Sequence, residues 1–498
     1  MKNIKFIGRL EIIVFISGAT VMILELIGSR ILAPYLGGSI FVWTSLIGII
    51  LGALSLGYYL GGNFSKNNPS FKFLSLTLVI AGIFIVLITA IKEPILNMAM
   101  SYGIKIGSIF ATTLLFVIPS ILLGMVSPYS VRLKIKDVET SGSAAGNLYA
   151  ISTIGSIVGT FLAGFYLIPT FGSLNILFGL GTILIVTSFL GMPSKLIKTR
   201  IGILMILFIL TGYAQYQILN KGYLVDFDSS YNHIRVYDTV DKRTHRMKRV
   251  LQIGAETHSS IFLDTGEMAT EYSRYMILDR IFNTDIKKVL VIGGGAYSQP
   301  KDINNRFPNA QIDVVEIDPM VTKMAMDYFN FVPNDKFNIF HEDGRIFLNN
   351  NKNKYDVIYL DAFISWYAIP FQLTTVETIE KIYNSLEDDG IVIANLISSL
   401  DGEKSYFFKS ELKTFSKYFS NYYIFPVYTK KIDSIQNIIV ILTKSSNTYT
   451  LDQLYNLARS EQEKSLIKNL YQESIDLSQT EILTDDFAPV DYYISKFL

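Results

Sequence analysis

The chain has 498 residues, a net charge of +1 and no cysteine. That charge gives no electrostatic footing for nucleic acid, and a chain without cysteine has no disulfide, thiolate zinc site or cysteine nucleophile. Half of the residues are hydrophobic and 17% are charged, against about 25% charged in soluble domains.

The deficit of charge is uneven. Residues 1–220 hold five acids, Glu11, Glu25, Glu93, Asp137 and Glu139, whereas charged residues are dense from 221 onward. This predicts an all-α multi-span membrane bundle over 1–220, a small β-rich subdomain over 221–285 and a Rossmann-like α/β domain over 286–498. A hydrocarbon core about 30 Å thick takes roughly 20 apolar residues per helix. Seven stretches qualify: 9–29, 40–61, 71–91, 106–126, 146–168, 173–192 and 201–219. The first is too long, and too closely followed by others, for a cleaved signal peptide. Small residues such as Gly48, Gly52, Gly57 and Gly61, and the GxxxG of Gly155 and Gly159, predict close helix packing. Lys2, Lys5, Arg9, Lys66, Lys72, Arg132, Lys134, Lys136, Lys195, Lys198 and Arg200 fall on one side, which places the N-terminus in the cytoplasm. Glu25 and Arg30, at the end of the first span, read as an ion pair near the headgroups, with a substrate path as the alternative.

Alternation around Ile234-Arg235-Val236-Tyr237-Asp238 predicts short antiparallel strands, and Glu271 to Phe282 has helical spacing. From 287 apolar runs alternate with helical patterns. Val289–Ile292 ends in Gly293-Gly294-Gly295, Ile312–Val315 in Glu316-Ile317-Asp318, Phe337–Phe340 in His341-Glu342-Asp343-Gly344, and Val357–Leu360 in Asp361; a fifth run spans Gly390–Leu396. Short buried strands alternating with helices predict a parallel doubly wound sheet, whose ligands bind outside the carboxyl ends of the strands.

Each special residue falls at such an end. Taken singly, the glycines are a tight turn, Glu316 and Asp361 helix caps, and Asp343-Gly344 an ordinary turn. In order at successive strand ends they predict a nucleoside site. The glycines let the backbone approach and donate amides, Glu316 accepts the ribose hydroxyls, Asp343 accepts from the adenine amino group, and Asp361 lies beside the reacting carbon. NAD fits less well, because GGGAYS lacks the GxGxxG spacing and Pro300 interrupts the start of a pyrophosphate helix. His233, His245, His258 and His341 are scattered, so no metal site is expected.

These motifs together resemble the spermidine synthases, over about residues 225–445. The first spans and the late Leu483-Thr484-Asp485-Asp486 are similar to membrane-fused forms of that family. The resemblance implies aminopropyl transfer from decarboxylated S-adenosylmethionine to putrescine or another amine, with release of methylthioadenosine and no permanently bound cofactor. It assigns Glu316 to the ribose, Asp343-Gly344 to the adenine, Asp361 to proton acceptance from the amine, and Asn232 to the place of a nucleoside-contacting Gln. It also implies a homodimer or homotetramer. Departures fall in the amine pocket: Ala296 and Ile364 stand where the family has acids, and Arg274-Tyr275 where it has Tyr-His. The alternatives are methyl transfer from S-adenosylmethionine, which needs no acid at 296, and a non-catalytic nucleoside sensor or transporter. Seven crossings would leave the catalytic half outside, away from a cosubstrate made in the cytoplasm. The expectation is therefore that one stretch is re-entrant or interfacial and that the catalytic half of this multi-pass cell-membrane protein is cytoplasmic.

Overall fold

The computed structural model describes residues 8–191 except 67 and 136, the isolated positions 198, 201, 202, 205, 206 and 212, and residues 222–496 except 255, 284 and 363–368. Its contacts divide the chain into two compact units, 1–222 with 227–233, and 223–226 with 234–498.

The first unit is helical: α1 (Arg9–Leu36), α2 (Ile40–Phe64), α3 (Phe71–Met100), α4 (Gly103–Lys134), α5 (Ser141–Leu162) and α6 (Ile168–Thr187). Among the described residues five helical runs are long and apolar enough to cross a membrane, the fifth being the 51 residues Ser141–Gly191. The sequence reading divides that run after 168. The helix instead continues through a π turn (Ala163–Leu167) and past Pro169, and breaks at Gly172, where φ is +71°. A π turn opens the backbone ladder next to a proline that cannot donate to it, and glycine adopts positive φ without a Cβ clash. The seventh expected stretch, 201–219, lies outside the described residues apart from isolated positions.

Small residues set the helix contacts. A Cβ on Gly155 or Gly159 would stand 2.2 and 2.6 Å from the carbonyl oxygens of Phe15 and Ala19 on α1, and one on Gly57 or Gly61 would stand 2.3 and 2.5 Å from those of Ile121 and Met125 on α4. Such backbone contact is what glycine allows where lipid removes the apolar driving force for helix association. The bundle has two chemically marked ends. Lys134 pairs with Glu11 at 2.5 Å, and Ser75 donates to the Ser188 carbonyl, at one end. Gly107 packs on Ala99 and Leu36 at the other. The segment 227–233 joins this second end. Ser173, just past the Gly172 break, donates its N–H to Asp228 at 2.7 Å, and Arg30 donates to the Ser230 carbonyl.

Residues 223–262 form a four-stranded antiparallel sheet of order β1-β2-β3-β4: β1 (Tyr223–Asp228), β2 (His233–Val240), β3 (Met247–Ile253) and β4 (Glu256–Phe262). It is followed by a seven-stranded sheet of β5 (Lys288–Ile292), β6 (Gln311–Val315), β7 (Phe337–Phe340), β8 (Tyr355–Leu360), β9 (Leu386–Ser398), β10 (Asn421–Pro426) and β11 (Gln436–Thr443), in the order β10-β11-β9-β8-β5-β6-β7. β5–β9 run parallel, and β11 and β10 are antiparallel additions. The parallel strands are near-continuous apolar runs because both faces are covered. Leu290, Ile292, Ile358 and Leu360 enter one core, while Val289, Val291, Val357 and Tyr359 enter the other. This is the doubly wound α/β architecture expected, with its β-rich subdomain ahead of it. Strand order reverses between β5 and β8, so their carboxyl ends open the crevice where such sheets bind ligands.

Candidate active site

The glycine loop is held by the next strand. Gly293 donates its N–H to the Val315 carbonyl at 2.9 Å. Gly294 and Gly295 donate to Glu316 Oε2 at 3.0 and 3.2 Å, and Asp318 donates to Glu316 Oε1 at 3.0 Å. The loop amides therefore face this chain's own carboxylate, not outward as the sequence suggests. Burial pushes the Glu316 carboxyl up to about 7, against the pull of those three N–H donors. The loop is then followed by a helix after all, Ser298–Arg306. Pro300 is tolerated there because the first turn has no intrahelical use for its missing N–H.

Gly293 also touches the other side of the crevice. Its φ is +99°, and a Cβ would stand 2.4 Å from the Asp361 carbonyl oxygen. Asp361 in turn donates its N–H to the Ile292 carbonyl at 3.0 Å. Gly344 opens the helix Gly344–Asn350 against the Ile292 side chain, which a Cβ would approach to 2.8 Å. The ends of β5, β6, β7 and β8 thus meet, bringing Gly293–Gly295, Glu316, Asp343–Gly344 and Asp361 to one edge of the sheet.

The Asp361 carboxyl has two neutral donors. Tyr272 donates its hydroxyl to Oδ2 at 3.1 Å, and Asn395 on β9 donates to Oδ1 at 2.8 Å. Asn437 on β11 fixes the Asn395 amide by donating to its oxygen at 2.9 Å. Burial raises Asp361 to about 6, although both hydrogen bonds oppose it. Asp343 is a helix cap as well as a site candidate: Oδ1 accepts from the N–H groups of Arg345 and Ile346, and Oδ2 from Gln372 at 3.1 Å. Ala296 is buried, its N–H directed to Ser259 on β4 at 3.2 Å.

The remaining sequence candidates have these partners. Asn232 belongs to the segment packed with the helical unit, where its N–H donates to Ser229 Oγ. Tyr275 reaches the Pro426 carbonyl and Arg274 pairs with Glu271, so the tyrosine that meets Asp361 is Tyr272. Ile364 lies outside the described residues. Tyr272, Asn395, Asn437 and Gln372 escaped the sequence reading. The one signal for Asn395 is a lone amide inside the apolar run Ile391–Leu396. Among the described residues no three His, Asp or Glu side chains group as metal ligands.

Residues 274–453 match the family model described as the spermine/spermidine synthase domain. The polyamine aminopropyltransferase of Vibrio vulnificus (strain CMCP6) is 29% identical over 229 residues, 44% of this chain and 74% of that protein. Three further polyamine aminopropyltransferase relatives are matched over 39–62% of their own length. The eEF1A lysine and N-terminal methyltransferase of Xenopus laevis is 28% identical over 207 residues, 40% of this chain and 28% of that protein. The crystal structure of a probable spermidine synthase from Corynebacterium glutamicum ATCC 13032 aligns at 20% identity and a TM-score of 0.42, covering 52% of this chain and 96% of that one.

Proposed function

We propose, from the match of residues 274–453 to the spermine/spermidine synthase domain, that this chain is a polyamine aminopropyltransferase, moving an aminopropyl group from decarboxylated S-adenosylmethionine to putrescine or another amine. The observation that carries the reading is the carboxyl of Asp361, raised to about 6 beside the glycine loop and held by two neutral donors. An ammonium has no lone pair with which to attack carbon. It must first lose a proton, and a carboxylate whose pKa lies near the working pH both anchors the amine and accepts that proton. The freed nitrogen attacks the carbon attached to the sulfonium, the C–N bond forms as the C–S bond breaks, and methylthioadenosine leaves neutral. The leaving group needs no acid, so positioning supplies much of the rate.

Donor binding follows from the same edge. Glu316 has about four acceptor sites as a carboxylate, of which three are used by backbone N–H groups. The remaining site on Oε1 takes one ribose hydroxyl, and the second exchanges with the long Gly295 contact. Asp343 and Gly344 take the adenine side. The experiment is incubation of the purified full chain with decarboxylated S-adenosylmethionine and a panel of amines, reading methylthioadenosine by mass spectrometry. Asp361→Asn should abolish release while nucleoside binding persists; undiminished turnover in that variant would refute the role of Asp361.

Methyl transfer is the second reading, favoured by the buried Ala296 where an amine-holding acid is expected. Preferential binding of S-adenosylhomocysteine over methylthioadenosine would select it.

The reading places the chain in a membrane through its five apolar runs. With it goes the placement of the catalytic half in the cytoplasm, one of the seven candidate stretches being re-entrant or interfacial.

A further inference from the structure

Asp279 is fully buried at the end of the segment that carries Tyr272, in a part of the domain that the proposed chemistry does not use. Three elements meet on it. Tyr359 of β8 donates its hydroxyl to Asp279 Oδ2, and Arg306 donates Nη1 to the same oxygen. Arg306 is the last residue of the helix that follows the glycine loop, and is braced by Asp302 at 2.7 Å; Arg280 donates to its carbonyl at 3.2 Å.

The placement relates directly to the site. Tyr359 and Asp361 are two residues apart and so share one side of the strand path. Tyr272 and Asp279 are seven apart on one helical segment. Tyr275, Met276, Leu278 and Ile281 of that segment share a core with Val291, Val357 and Tyr359. The segment is therefore pinned along β8 at two points, Asp279 to Tyr359 and Tyr272 to Asp361. Its buried hub also ties in the helix descending from Gly293–Gly295. A buried ion pair is weak evidence for stability, because desolvation offsets its attraction. A buried polar hub that joins the elements delivering three site groups is better accounted for by geometry.

We propose that Asp279, Arg306 and Tyr359 form a positioning unit that sets the approach of Tyr272 to Asp361. The proposal rests on the reading of Asp361 as proton acceptor. Tyr272 is the titratable group that the described residues place against Asp361; Arg306 and Tyr359 are those placed against Asp279.

Tyr359→Phe in the full chain removes one hydroxyl and keeps the Asp279–Arg306 pair. Methylthioadenosine affinity should be unchanged, and kcat should fall on the order of tenfold, as small misplacements cost. The acid limb of the kcat profile should move to higher pH, since Asp361 loses part of a hydrogen bond that favours its ionised form. Tyr272→Phe should move the limb the same way, and the double variant no further, because residues acting as one unit are not additive. Arg306→Lys, which keeps the charge but not the fork, should reproduce the limb shift if Tyr359→Phe does not accumulate as folded protein. Parent kcat and acid limb in Tyr359→Phe, a change in melting temperature alone, or additive effects in the double variant would overturn the proposal. Asp361→Asn run alongside separates the two levels. Full turnover there removes the proton-acceptor reading itself, whereas its loss beside an unaltered Tyr359→Phe removes the positioning role alone.

Discussion

Two carboxyls in this site carry their protons to unusually high pH, with different consequences. Asp361, raised to about 6 by burial, must be ionised to accept a proton, so turnover should fall as pH drops below about 6; a pH–kcat/KM profile of the full chain checks this. Glu316 shifts from an ordinary 4.5 to about 7. Between those values the folded chain holds a proton that the unfolded chain has released. Its contribution to stability is therefore fully present below 4.5 and is lost as pH rises through about 7. Ribose hydroxyls are donors and favour the carboxylate, so nucleoside binding should expel this proton. Affinity for methylthioadenosine should rise about tenfold from pH 6 to pH 8. Calorimetry in buffers of different ionisation heat should record up to one proton released near pH 6.5, and a flat profile would remove Glu316 from the site.

At the scale of elements, glycine sets how closely the helices approach, and not every glycine matters. Gly155 and Gly159 lie against α1 backbone, whereas Gly48 and Gly52 have nothing within 4 Å of an added Cβ. Gly155→Leu should lower the melting temperature of detergent-solubilised protein sharply, because the bulk has to separate two backbones. Gly48→Leu should leave it near the parent value. Equal effects of the two would show that α1–α5 contact is not set by the GxxxG. The sheet follows the same logic of close approach. Gly293 has both a positive φ and the Asp361 carbonyl where its Cβ would be, so that one residue lets β5 and β8 present their ends to a common crevice.

For the whole molecule, the side on which the C-terminal half lies is measured by labelling. A chain without cysteine is a clean background for labelling. Val138, in the turn between α4 and α5, and Val332, on the second unit, are 88% and 78% exposed. If all seven stretches cross, a membrane-impermeant maleimide should label Val332→Cys in intact cells and Val138→Cys only after permeabilisation. Labelling of both only after permeabilisation is the outcome expected if one stretch is re-entrant or interfacial and the C-terminal half is cytoplasmic.

Much of this architecture was legible in local pattern. Length of apolar run, alternation and strand-end residues are properties of a few neighbouring side chains, and they marked the helical half, the parallel strands and the residues Gly293–Gly295, Glu316, Asp343 and Asp361. The sequence by itself determined which residues stand at strand ends and which helices tolerate close contact. Tertiary structure decided what those residues meet. Glu316 takes the loop amides, Tyr272 replaces Tyr275 at Asp361, Asn395 and Asn437 arrive from strands 34 and 76 residues downstream of Asp361, and the Ser141–Gly191 run bends at Gly172. The reason is that a hydrogen bond across a sheet depends on strand order and register, which no spacing along the chain encodes.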